Sequence, residues 1–112
     1  SFVSVRVRLG KDGDYLYSDG VESRYATGRL GGLRLWRRGF RYRDEQLIEK
    51  YGLAFADLSD GDIVIDCSAN YWDMYFALQS LGQKCNYLAI EPDPAVQIVL
   101  KKILRLTDTY IA

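Results

Sequence analysis

Two short, unbroken apolar runs, Ile63-Val64-Ile65 and Tyr87-Leu88-Ala89-Ile90, constrain this chain more than any other feature. An alternating run buries one face and wets the other, whereas an unbroken run suits a strand covered on both faces, as in a parallel sheet. Parallel neighbours need a crossover of a dozen or more residues between them. The interval supplies one: Tyr71, Met74, Tyr75, Leu78 and Leu81 recur at helical spacing, and Gly82 closes the repeat. A polar turn around Gly61 feeds the first run, Asp66 ends it, and Glu91 ends the second. Residues 61–94 therefore predict a strand, a tight polar turn, a helix and a second strand.

The pattern extends in both directions. Asp93 is placed to cap a further helix with Pro94 in its first position, where a missing N–H costs nothing. Val96, Val99, Leu100 and Ile103 form its apolar stripe, and Lys101, Lys102 and Arg105 complement the dipole at its end. Tyr110-Ile111 would begin a third strand. Upstream, Asp44 is expected to cap a helix over residues 45–51, with Leu47, Ile48 and Tyr51 inward and Gly52 ending it. The start of the chain differs. Val3, Val5 and Val7 alternate with Ser4, Arg6 and Arg8, and a Gly10–Asp14 turn leads into Tyr15-Leu16-Tyr17, a β-hairpin. Leu33 to Trp36 is expected to add one more short strand. The prediction is an α/β fold, with a β-rich, basic segment over residues 1–43 and a parallel unit over residues 44–112.

Formal charge is zero overall, but residues 1–50 carry 11 Lys/Arg against 7 Asp/Glu and residues 51–112 carry 4 against 8. There is no histidine, which removes the commonest general base and metal ligand. Cys67 and Cys85 make neither a disulfide framework nor a metal site, so a reducing cytoplasm is the expected setting. No apolar run approaches a membrane span, and the start does not resemble a signal peptide. The chain begins at Ser1 and its one methionine is Met74, so a fragment of a longer protein is expected.

Open parallel sheets bind ligands at the carboxyl ends of their strands, where Asp66 and Glu91 both stand. Glu91 follows Asp66 by 25 residues. Its carboxylate either accepts hydrogen bonds from both hydroxyls of a cofactor ribose or is an ordinary surface acid. Asp66 either faces a cationic or donating group of a cofactor or caps N–H groups in the turn beneath it. Asn70 either offers its amide to a cofactor or caps the following helix. No glycine lies between Gly61 and Gly82, so the Gly-rich cradle of a pyrophosphate is missing, and a cofactor with ribose but no phosphate fits better.

Val64-Ile65-Asp66-Cys67-Ser68-Ala69-Asn70 followed by Ala89-Ile90-Glu91-Pro92-Asp93-Pro94 resembles the FkbM-type S-adenosylmethionine-dependent methyltransferases over about residues 44–106. In that family the first strand ends Asp-x-Gly-Ala-Asn-x-Gly and the second ends near Glu-Pro-Asp. The resemblance implies a Rossmann-like class I methyltransferase fold, here the incomplete N-terminal part of a seven-stranded sheet. It implies methyl transfer from S-adenosylmethionine to a hydroxyl of a sugar or small metabolite. It implies that Glu91 holds the ribose while Asp66, Ser68, Ala69 and Asn70 line the methionine and ribose side; no catalytic base is implied. Ser68 and Trp72 stand where the family has glycine.

In the family's sheet the first strand has neighbours on both sides, so with an unpaired edge beside Ile63–Ile65 the chain is expected to self-associate, to be marginally stable, or to cover that edge with its own N-terminal strands. The alternative function is non-catalytic: a degenerate relative, or a nucleic-acid-binding module. The last rests on residues 34–43, with five arginines and three aromatics. Without a basic chain overall, a strand pair with a solvated basic face and inward aromatics is the favoured reading of that segment.

Overall fold

A computed structural model describes residues 4–11, 13–27, 29–67, 73–83, 85–104 and 109–111, with residues 29–31, 103–104 and 109–111 described in backbone only. The chain starts with strands β1 (Arg6–Leu9), β2 (Tyr15–Ser18) and β3 (Ser23–Ala26), which form an antiparallel sheet in sequential order. The Arg6↔Ser18 to Leu9↔Tyr15 register fulfils the hairpin expectation, and a Gly10 N–H to Asp14 C=O bond of 2.7 Å closes its loop. One face of this sheet is sealed. Val7, Tyr17 and Arg24 lie in one cross-strand row, and Tyr17 and Arg24 are fully buried.

Strand content in the N-terminal part ends at Ala26. Leu33 to Trp36 belongs to helix α1 (Arg29–Trp36), not to a strand. Packing overrides local preference here. Gly32 lies so close to Tyr17 that an added Cβ would collide with its ring, and Trp36 is buried edge-on between Tyr17 and Phe40, with centroids 5.2 and 5.5 Å away. Helix α2 (Phe40–Tyr51) starts earlier than the expected 45–51. Asp44 is consequently an interior helix residue and not its cap, because it is drawn inward by Arg24. Gly52 ends α2 in the left-handed region at φ 61°, as expected, and a 3-10 turn follows over Leu53–Phe55.

The second half is a parallel βαβαβ unit. Strands β4 (Ile63–Cys67), β5 (Asn86–Ile90) and β6 (Thr109–Ile111) lie side by side in that order, joined by α3 (Asp73–Ser80) and α4 (Pro94–Leu104). Asp93 caps α4 through a 2.9 Å bond from the Ala95 N–H to its Oδ1, and Gly82 closes α3 at φ 72°. Ile103 falls outside the side chains described. Tyr75 and Leu78 of α3 and Val96, Val99 and Leu100 of α4 pack with Tyr87 and Ala89 in the same apolar cluster that holds Tyr17, Trp36 and Phe40. Among the described residues no helix is long and apolar enough to cross a membrane.

The other face of the parallel sheet departs from expectation. Ile63 and Ile65 are 67% and 60% exposed, and Cys67 and Ile90 are exposed with them. Both crossovers step across the sheet in the same direction, and with the usual right hand both helices fall on one face. The unbroken apolar run correctly indicated a parallel strand, but only its Val64 face is covered. Along its far edge β4 has no strand partner among the described residues.

Arg24 fastens the two halves together. It is 1% exposed, grips Asp44 of α2 through Nη1–Oδ1 and Nη2–Oδ2 bonds of 3.0 and 2.8 Å, and donates to Glu22 at 3.0 Å. Its guanidinium carbon lies 4.5 Å from the ring centroid of Phe40 and 4.1 Å from that of Phe76. Removing one member of such a buried pair strands the other charge, which typically costs about 3–5 kcal/mol. Urea denaturation of Arg24→Met should show a loss of that size, and Arg24→Met combined with Asp44→Leu should recover most of it.

Candidate functional site

The parallel register brings Asp66 level with Ala89, so Glu91 emerges just beyond the neighbouring strand end. The two sequence-predicted acids therefore share the carboxyl end of the sheet. Neither side chain is idle. Asp66 shares the Val64 face with the helices, and its Oδ2 accepts a short hydrogen bond from the Tyr87 hydroxyl. The turn that the capping alternative concerns lies outside the described residues. Burial pushes the Asp66 carboxyl above its ordinary 3.8, with further upward pressure from the charges of Asp73 and Glu91, while the Tyr87 bond pulls the other way. Burial first, then the bond to Asp66, pushes the Tyr87 phenol far above its usual range, so it remains a donor.

Glu91 is buried, with Oε1 accepting the Asp93 N–H at 3.2 Å, while its backbone carbonyl accepts the Gln97 side-chain amide. These bonds tie the end of β5 to the first turn of α4. Ser68, Ala69 and Asn70, with Tyr71 and Trp72, lie outside the described residues.

Three further groups complete the site that the sequence reading passed over. Tyr87 looks like one more apolar strand residue until its hydroxyl is placed against Asp66. Asp73 opens α3, where an acid favours the helix dipole, and its Oδ2 takes Arg43 Nε and Nη2 at 2.9 and 2.8 Å. Asp73 Oδ1 is buried without a hydrogen-bond partner among the described residues. Arg43 was legible only as part of the basic segment, because a contact 30 residues away leaves no local pattern. Chemically the site offers acceptors for hydroxyl or cationic donors, with one fixed phenol beneath them.

The basic-aromatic segment forms a solvated basic surface on α1 and α2, not the expected pair of strands. Trp36 and Phe40 are fully buried and hold no ring out for stacking, while Arg34, Arg37, Arg38 and Arg41 are exposed. Arg38 bonds the Tyr42 hydroxyl at 2.9 Å and lies over its ring, and Arg41 pairs with Glu45 at 3.1 Å.

No protein-family model, curated protein or solved structure matches the chain.

Because the folded state holds the Asp66 proton more tightly than the unfolded chain does, ionising this carboxyl opposes folding. Its penalty is absent below the unfolded value near 3.8 and complete above the raised folded value. Asp66→Asn keeps an acceptor for Tyr87 and removes that penalty. Thermal melts across pH 3–8 should show the variant more stable than wild type at neutral pH, with the gap closing as pH falls toward 3.8.

Proposed function

We propose that this chain is an S-adenosylmethionine-dependent methyltransferase of the FkbM type, with a Rossmann-like class I sheet, acting on a hydroxyl of a sugar or small metabolite. One observation carries the reading: a parallel βαβαβ unit in sequential order whose second strand is followed at once by Glu91, directly before the capped first turn of α4. Doubly wound sheets bind nucleosides in the crevice at such strand ends, beside the first strand where the order of strands reverses. The open far edge of β4 suits that position. Glu91 would receive the ribose hydroxyls; a carboxylate has about four acceptor positions, so the Asp93 N–H does not exhaust it. Asp66, Ser68, Ala69 and Asn70 would line the methionine and ribose side.

Methyl transfer from a sulfonium is an in-line displacement, in which the protein mainly aligns the acceptor oxygen and takes up its proton. The engagement of Asp66 and Glu91 by neighbours within the fold favours, as a second reading, a relative that keeps the scaffold without the catalysis. Self-association through the β4 edge belongs to the same proposal, and sedimentation at rising concentration reads it.

Calorimetric titration with S-adenosylhomocysteine tests the cofactor reading. One-to-one binding that Glu91→Ala weakens tenfold or more, about 1.4 kcal/mol, is the expected result, with no binding of single-stranded RNA. Absence of binding at millimolar ligand, or affinity indifferent to Glu91, would sink it. Ser68→Gly combined with Trp72→Gly, restoring the family's small residues, should raise affinity about tenfold by letting backbone approach the cofactor.

A further inference from the structure

A concavity lies away from the strand ends, between the hairpin and the last turn of α4. It encloses about 640 Å³ and is lined by Arg8, Leu9, Gly10, Lys11, Leu16, Tyr25 and Lys102. The sheet register builds its floor. Arg8 pairs with Leu16 and Leu16 with Tyr25, so a cation, an aliphatic side chain and an aromatic ring form one row across β1, β2 and β3. This row lies on the face opposite the sealed one that carries Val7, Tyr17 and Arg24.

Helix α4 supplies the remaining wall. Lys102 places its Nζ 5.4 Å from the Tyr25 ring centroid and 2.7 Å from Asp14 Oδ2. Asp14 is 3% exposed and holds this ammonium from behind. Gly10 makes that possible, since a Cβ there would collide with the Asp14 carboxylate. Among the described residues around the cleft, three cations face one carboxylate, and Arg8 and Lys11 are exposed. Such an excess of two charges is fixed in place for Lys102 and adjustable for the other two.

We propose that this cleft binds a small phosphate monoester carried on a flat ring. A dianionic phosphoryl group matches the charge excess, with Arg8 able to engage two oxygens at once and the lysines acting as point charges. The ring rests on Leu16 and Tyr25, and the volume lies within the range of small-molecule sites. Lys102 lies eight residues along the helix from Pro94, about 12 Å, so the cleft is separate from the Glu91 end of α4.

Titrating the full chain with phenyl phosphate, inorganic phosphate and phenol tests this. Phenyl phosphate should bind most tightly, phosphate more weakly, and phenol below detection. Arg8→Ser and Lys11→Ser should each weaken phenyl phosphate about three- to tenfold, and raising salt from about 50 to 200 mM should weaken it further. Both side chains are exposed, so circular dichroism should show the variants folded. Glu91→Ala should leave this affinity unchanged, which separates the cleft from the strand-end site. Phenol binding as tightly as phenyl phosphate, indifference to the Arg8→Ser/Lys11→Ser double variant, sensitivity to Glu91→Ala, or no binding at millimolar phenyl phosphate would overturn the proposal.

Discussion

Arg24 is a permanent positive charge in a place where water cannot reach it, and the surrounding architecture engages its two terminal nitrogens from several sides at once, while its Nε is buried without a hydrogen-bond partner among the described residues. Asp44 neutralises it, Glu22 takes another donor, and Phe40 and Phe76 face the guanidinium with their rings. These partners come from the end of β2–β3, from α2 and from α3, so satisfying one side chain orders three layers. Desolvating a guanidinium is expensive, and losing the Asp44 carboxylate would leave the charge unpaired at a cost of several kcal/mol. That expense makes the geometry selective: a shift of α2 by one residue would remove Asp44 from the fork. Arg43–Asp73 and Lys102–Asp14 repeat the device at the periphery, joining α2 to α3 and α4 to the hairpin.

The parallel unit follows a different logic. Its strands pair in chain order, its two crossovers lie on one face, and the opposite face keeps Ile63 and Ile65 in water. Parallel sheets ordinarily bury both faces. The half-covered sheet explains why β4 carries apolar residues at every early position and yet shows alternating burial. It also accounts for the crowding of polar chemistry on the covered side, where Asp66, Tyr87 and Asp73 meet among helices instead of facing open solvent. The buried Glu91 stands at one end of α4, and a concave region under the hairpin beside Lys102 lies at the other.

Much of the scaffold was legible from local pattern. The hairpin, the capped start of α4, the left-handed Gly52 and Gly82 and strands β4 and β5 follow from short-range rules of turn chemistry and periodicity. Asp66 and Glu91 could be placed at strand ends for the same reason. The helix over Leu33–Trp36 could not, because two glycines and scattered arginines carry no clear helical signal; it exists because Gly32 lets Tyr17 approach and Trp36 has a core to enter. Tyr87 was recognisable as a strand residue but not as the donor to Asp66.

What the amino-acid order determined by itself was the hairpin, the order of helices and strands from α2 onward and several of the residues that end them, since caps, turns and periodicity act within a few positions. Tertiary structure alone decided which charges met. Arg24 finds Asp44 20 residues away, Arg43 finds Asp73 30 away, and Lys102 finds Asp14 88 away. It also decided which face of β4 stayed bare, because burial depends on where two helices land and not on the composition of the strand. Ion pairing in a low-dielectric interior is strong but has no periodicity along the chain, so it becomes visible only once the chain has folded.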